Sequence, residues 1–249
     1  MVKIEKRILS PTAINTYLSC PRKFFLRYIK RLKTRPSIHL IRGHIVHKTL
    51  HRFHENRCRA PPQMAFCEIR QQLLTIFAEE WEKAEGSLNA LGLSSGEIEF
   101  FRDDSEVMLL NFSQWFHRNG MASPDVSEAR IVSHNLRLMG IIDAVHRQDG
   151  KLTLVDYKTS KYPKITEDIM RQAALYALLC QNRYKQIPET VLIHFLKFPD
   201  DPQPIHVDNE LLEYARILVE SVGNKTTSQE EDDYPCTCGG YCKKDFVTK

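Results

Sequence analysis

"GIIDAVHRQDGKLTLVDYKTS", Gly140 to Ser160, is the stretch on which the fold turns. Apolar and polar residues alternate on both sides of Asp149-Gly150. A period of two sends successive side chains to opposite faces of a strand. Asp-Gly is a favoured pair for a two-residue type I′ turn, in which both central residues take positive φ. The stretch therefore predicts an antiparallel hairpin with Gln148 beside Lys151. In that register Asp143 faces Asp156, with Cβ atoms about 5 Å apart. Two carboxylates so placed repel unless something neutralises them. A divalent cation would, since Mg²⁺ is commonly held by one or two carboxylates together with phosphate oxygens and water. Lys158 projects from the same face as Asp156. A cation there can orient an attacking water or stabilise charge developing on a phosphorane-like transition state. Solvated charges on an exposed sheet would give a similar string. The apolar run "LTLV" instead argues for a buried central strand, where unpaired charge is costly.

Upstream, "SEARIVSHNLRLMG" (127–140) extends the alternation to a third strand. A turn at His134-Asn135 would put Glu128 opposite Ile141, on the face of Asp143 and one step along. Glu128 is then a further candidate for positioning water or supporting the ligands from behind.

Around this hairpin the pattern is helical. Ser10-Pro11 is a helix start, and "CPRKFFLRYIKRL" resumes helix after Cys20-Pro21. Segments 39–57, 64–85 and 95–119 read as helices, with a break at "APPQ" (60–63). Residues 167–184 and 209–224 read as helices, and 190–198 as a strand. The expected organisation is one domain over 1–249: a helical part (1–120), a catalytic sheet core (121–225) and a cysteine-bearing tail (226–249). The expected fold class is α/β, a mixed sheet flanked by helices.

"GHIVHKTLHRFH" (43–54) carries His44, His47, His51 and His54 at spacings of three, four and three. Such steps keep side chains on one helical face. Either all four make one metal centre or one works while the rest pack or face solvent. A zinc hydrolase would use H-E-x-x-H, and no glutamate stands in that position here.

Charge is uneven. Residues 1–59 hold fifteen Lys/Arg and two acids, the remainder twenty and twenty-nine, so a net +13 and −9 make up the overall +4. This suggests a polyanion-binding region beside an acidic one; a solvated basic helical surface is the other reading. Arg22, Lys23, Arg27, Lys30 and Arg31 would contact phosphates nonspecifically. Phe24, Phe25 and Tyr28 among them either stack bases of a single strand or belong to the core. No apolar run approaches the ~20 residues of a membrane span, and the N-terminus lacks the apolar core of a signal peptide. A cytoplasmic protein with no membrane partner is expected.

Of seven cysteines, Cys236, Cys238 and Cys242 crowd into "CTCGGYC", which reads as metal ligation. Three are too few for a closed thiolate site, so a fourth ligand must come from elsewhere. Cys58, Cys67 and Cys180 lie in helical contexts and carry no assigned function.

Taken together these motifs resemble the PD-(D/E)XK nuclease superfamily in its RecB-like branch, and within it the CRISPR-associated four-cysteine iron–sulfur exonucleases. "GIIDAV" is similar to the first metal-binding motif and "LVDYKTS" to the D-x-K motif. Gln172 and Tyr176 match the branch's Q-x-x-x-Y, and Gly43 to His47 its G-x-x-x-H. The resemblance implies a restriction-endonuclease-like fold. It implies His47, Asp143 and Asp156 as ligands of Mg²⁺ or Mn²⁺, with the Tyr157 carbonyl as a further ligand. Lys158 would be the catalytic lysine, and Gln172 and Tyr176 would position substrate or active-site groups. Cys20 would join Cys236, Cys238 and Cys242 around a [4Fe–4S] cluster that ties the N-terminal helices to the C-terminus. The family spaces its last three cysteines as C-x-x-C-x5-C, whereas this chain has C-x-C-x3-C, so Zn²⁺ on the same four thiolates is the alternative. The implied activity is metal-dependent hydrolysis of DNA, as an exonuclease on single-stranded or frayed ends, in CRISPR spacer acquisition or repair beside CRISPR integrase proteins. Two rivals remain at this point: a DNA-binding subunit with a vestigial site, and a histidine-zinc hydrolase on residues 44–54.

Overall fold

The computed structural model describes residues 7–57, 64–119 and 123–247; Cys58 and the "APPQ" break lie outside them. The helical part comprises α1 (Pro11–Ser19), α2 (Pro21–Phe24), α3 (Ile38–Arg57), α4 (Phe66–Asn89) and α5 (Ser95–Arg118). Ser10 caps α1 by accepting the Ala13 N–H, and Ser94 caps α5 in a reciprocal capping box with Glu97, as those residues should. Then come β1 (Val126–Ser133), β2 (Leu138–Gln148), β3 (Lys151–Lys158), α6 (Glu167–Tyr184), β4 (Thr190–Phe195), β5 (Gln203–His206) and α7 (Asn209–Lys225).

The sheet runs in sequence order, β1 to β5. β1, β2 and β3 are antiparallel neighbours, β4 lies parallel to β3, and β5 antiparallel to β4. A parallel step needs a crossover, and α6 supplies it. That helix buries Ala173 through Cys180 without interruption, as befits a helix enclosed on all sides. One apolar core lies between the sheet and α1, α6 and α7. A second, on the other face, joins α3, α4 and α5 to Ala144, Val155 and Tyr157 of the sheet. Each fully buried leucine in these layers contributes about 2 kcal/mol.

The hairpin at Asp149-Gly150 has the expected register, Gln148 against Lys151 through Ala144 against Val155, with positive φ at both turn residues. Other expectations need correction. β1 and β2 are joined by a longer turn, so Ile141 pairs with Arg130, and Glu128 falls opposite Asp143. The ladder is interrupted there: Glu128 takes φ 48°, a left-handed conformation that costs a non-glycine residue about 1–2 kcal/mol. The strand expected over 190–198 ends at Phe195, and β5 was not foreseen: its four residues include Pro204 and show no alternation. Helix after Cys20 is brief and ends in a π-helical turn, Phe25–Ile29, where Lys30 N–H bonds the Phe25 carbonyl at 2.9 Å.

Phe24 and Phe25 are fully buried, which removes them as base-stacking residues. Tyr234 from the C-terminal tail packs against both, with ring centroids at 6.1 and 5.2 Å. The tail thus closes the core that the N-terminal helices begin. Arg22 and Lys23 are engaged in the same closure, pairing with Glu231 and Asp245.

Candidate active site

The β2–β3 ladder ends at Ala144 and Val155, while β3 goes on beside β4 to Lys158. The two strands part where Asp143 and Asp156 stand. The Tyr157 N–H, left without a β2 carbonyl, donates instead to Asp143 Oδ2 at 2.8 Å. A buried backbone donor needs such a partner. Helix α3 approaches from one side and brings His47 Nδ1 to 2.9 Å from Asp143 Oδ1. Gly43, one turn earlier, faces Thr159, with room for a Cβ 3.4 Å from Thr159 Oγ1.

From the other side α6 brings Gln172, whose Oε1 accepts from Lys158 Nζ at 2.7 Å and whose Nε2 donates to Tyr176 OH at 2.8 Å. Lys158 Nζ also lies 2.6 Å from Asp156 Oδ2 as an ion pair. That oxygen is buried and receives no well-aligned hydrogen bond among the described residues. Carboxylate, lysine, glutamine and tyrosine form one row. Tyr176 in turn packs on Gly140, where any Cβ would meet its ring at 2.9 Å.

The electrostatics separate the two aspartates. Burial raises the Asp143 carboxyl, but His47 and the Tyr157 N–H outweigh it and hold it below the usual range. Burial likewise raises Asp156; Lys158 offsets this only in part, Asp143 adds to it, and Asp156 stays above the usual range. Burial pulls His47 down, but Asp143 and Asp156 lift it above the ordinary histidine value. Neighbouring titratable groups driven apart in this way mark functional sites.

These residues line a cleft of about 800 Å³. Residues that sequence reasoning missed also line it. Arg42, buried on α3, reaches Asp104 at 2.5 Å and the Thr159 carbonyl at 3.0 Å. Lys197 meets the same Asp104 at 2.6 Å. Lys197 was legible in principle, since it follows the C-terminal end of a strand parallel to β3, where ligands gather. Nothing local to α3 or α5 announces the Arg42–Asp104 pair. Phe100, 63% exposed, stands at the rim.

Residues 8–243 match the family model of the PD-(D/E)XK nuclease superfamily. The chain belongs to that superfamily. No curated protein matches the nuclease in sequence. Among solved structures, a candidate exonuclease from Eubacterium rectale is similar in fold, with a TM-score of 0.61 at 13% identity, covering 98% of this chain and 90% of that one. No helix of the described residues is long and apolar enough to cross a membrane.

The remaining candidates go elsewhere. Glu128 does not line the cleft; its carboxylate lies 3.9 Å from Lys48 Nζ and 3.7 Å from His51 Nε2 on α3. The four histidines do not converge. His44 is exposed, His51 Nδ1 is 2.8 Å from Ser127 Oγ, and His54 is buried with Nε2 3.1 Å from Tyr157 OH. This disposes of a four-histidine zinc centre. Cys20, Cys236, Cys238 and Cys242 do converge, all four sulfurs lying within 4.8 Å of one another, so they could bind metal. They are the one group of three or more His, Cys, Asp or Glu drawn so close among the described residues. Asp156 is turned toward Lys158 rather than toward His47. Cys67 is exposed and Cys180 buried.

Proposed function

We propose that the nuclease is a divalent-metal-dependent deoxyribonuclease that degrades DNA from single-stranded or frayed ends. The observation that carries this reading is the meeting of His47, Asp143, Asp156 and Lys158 where β2 and β3 part. The donor set suits a hard cation: the buried Asp156 carboxylate, the half-buried Asp143 carboxylate, one imidazole and the Tyr157 carbonyl. His47, Asp143, Asp156 and the Tyr157 carbonyl would hold Mg²⁺ or Mn²⁺, which when bound activates water and polarises the phosphoryl oxygen.

The protein's own groups do the rest. Lys158, held between Asp156 and Gln172, presents its ammonium to the attacking water and to the charge that develops on phosphorus. Gln172 and Tyr176 are positioning residues that fix the lysine. Glu128 supports α3 against β1 through Lys48 and His51. Arg42 and Lys197, balanced by a single carboxylate, leave the cleft wall cationic toward phosphate.

A second cleft shares Gln172 and is lined by Arg27, by Lys23, which pairs with Asp245, and by Asp168. It offers a path for the backbone away from the site along the basic N-terminal helices. At the cleft rim, exposed Phe100 supports the single-strand preference, because a protruding ring can take a stacked base. The likeness to CRISPR-associated exonucleases argues for spacer acquisition or DNA repair as the setting, with integrase proteins as partners to seek by co-purification.

The test is digestion of end-labelled single- and double-stranded DNA with Mn²⁺ or Mg²⁺. Cleavage from ends, lost in Asp156→Ala while DNA binding persists, supports the proposal. A wild type that binds DNA but cuts none with either ion makes it a DNA-binding subunit instead.

A further inference from the structure

The four-cysteine site does not have the dimensions of the cluster that the family resemblance implies. Cys236 Sγ lies 3.6 Å from Cys238 Sγ and 3.7 Å from Cys242 Sγ, and no pair among the four exceeds 4.8 Å. One tetrahedral ion with zinc–sulfur bonds of ~2.3 Å sets its four sulfurs about 3.8 Å apart. A four-iron cluster gives each thiolate a different iron and puts the whole cube between the sulfurs. Four sulfurs all within 4.8 Å of one another, two pairs of them in contact, leave no room for it.

The surrounding chain holds these spacings. Gly239 and Gly240 take φ 61° and 86°, which L side chains tolerate poorly, and they fold the tail into a tight knuckle. Within it the Gly240 N–H donates to Cys236 Sγ at 3.3 Å and the Cys242 N–H to Cys238 Sγ at 3.1 Å. Cys20 is buried between α1 and α2, and its neighbours clasp the neighbours of Cys236. Thr237 Oγ1 donates to the Ser19 carbonyl at 3.1 Å, and Arg22 donates through its N–H to Pro235 O at 3.3 Å and through Nε to Tyr234 O at 2.8 Å. Widening the site for a cube would break these clasps on both sides of Cys20. The short C-x-C-x3-C spacing agrees, since ligands two apart in sequence favour a compact chelate.

We infer that Cys20, Cys236, Cys238 and Cys242 hold one zinc ion in place of an iron–sulfur cluster. The ion is a redox-inert staple between the N-terminal helices and the tail. The inference stands apart from the nuclease reading, because the four sulfurs belong to neither cleft.

The test is metal and acid-labile sulfide analysis of the full-length protein, purified anaerobically from cells supplied with both iron and zinc. One zinc per chain, without sulfide or visible absorbance, is the expected result. Asp156→Ala should keep that zinc and Cys238→Ser lose it. Should Cys238→Ser fail to fold, Co²⁺ added to zinc-stripped wild type should give the intense visible bands of a tetrahedral thiolate site. Iron, with or without sulfide, or the lack of any stoichiometric metal at these cysteines overturns the inference.

Discussion

His47 on α3 and Asp143 on β2 are 96 positions apart in sequence, and their side-chain atoms Nδ1 and Oδ1 are 2.9 Å apart. That pairing couples the helical part of the nuclease to its sheet at the point where β2 and β3 separate. It also selects one histidine from a stripe of four. His47→Ala should lower Mn²⁺ affinity by at least the 10–100-fold typical of disturbing a ligand's surroundings, and cleavage with it. His51→Ala, which removes the contacts to Ser127 and Glu128 outside the cleft, should leave both near wild type. Titration calorimetry beside a cleavage assay checks this, and equal losses in the two variants would count against His47 as the ligand.

The row Asp156, Lys158, Gln172 and Tyr176 predicts graded effects. Gln172→Ala frees the lysine from its amide partner and should lower kcat by about 10²-fold, the scale of a misplaced catalytic group. Tyr176→Phe removes one hydrogen bond at the far end, worth about 1 kcal/mol, and should have a milder effect. KM should change little in either. Steady-state kinetics on one oligonucleotide decides it, and a change confined to KM would move Gln172 to substrate binding.

Gly140 has a packing role. An added Cβ would lie 2.9 Å from both Leu179 and the Tyr176 ring. Gly140→Ala should destabilise the fold by about 1–3 kcal/mol, the usual cost of overpacking. That corresponds to about 2–4 °C in Tm per kcal/mol for a chain of this size. Activity should fall as well, because the ring that must shift carries the hydroxyl bonded to Gln172. Differential scanning calorimetry with cleavage rates tests both; an unchanged Tm would show that α6 yields freely.

His194 on β4 predicts how stability depends on pH. It is 1% exposed, among Phe112, Trp115 and Tyr157, and neither ring nitrogen has a hydrogen-bond partner among the described residues. Burial lowers its pKa to about 4. In the unfolded chain it titrates near ~6.5. The unfolded state therefore binds the extra proton first as pH falls. The stability is fully present above pH ~6.5 and is lost progressively toward pH 4, by about 3 kcal/mol from this group. Urea unfolding across that window should show the slope, and His194→Phe should flatten it. A slope that survives the substitution would assign the acid sensitivity to other groups.

The local chemistry of the site was legible in the sequence. Asp149-Gly150 defines a turn by backbone sterics alone, so the hairpin register followed from Gln148–Lys151 to Ala144–Val155; the Asp143–Asp156 pair expected next does not form, because the strands part there and Asp143 accepts the Tyr157 N–H. Spacing on α6 likewise put Gln172 and Tyr176 on one helical face. Such features depend on residues a few positions apart, where chain geometry leaves few choices.

The tertiary structure decided what depends on distant segments meeting. It turned Glu128 to His51 and Lys48, because a left-handed residue breaks the β1–β2 ladder. It buried Phe24 and Phe25, because Tyr234 arrives from the other end of the chain to cover them. It joined Arg42 on α3 to Asp104 on α5 beside Lys197 after β4, a charge network with no local pattern. It also set the width of the cysteine site through main-chain clasps between residues 19–22 and 234–237. The motif established that thiolates gather there, but only packing could establish how far apart they stand.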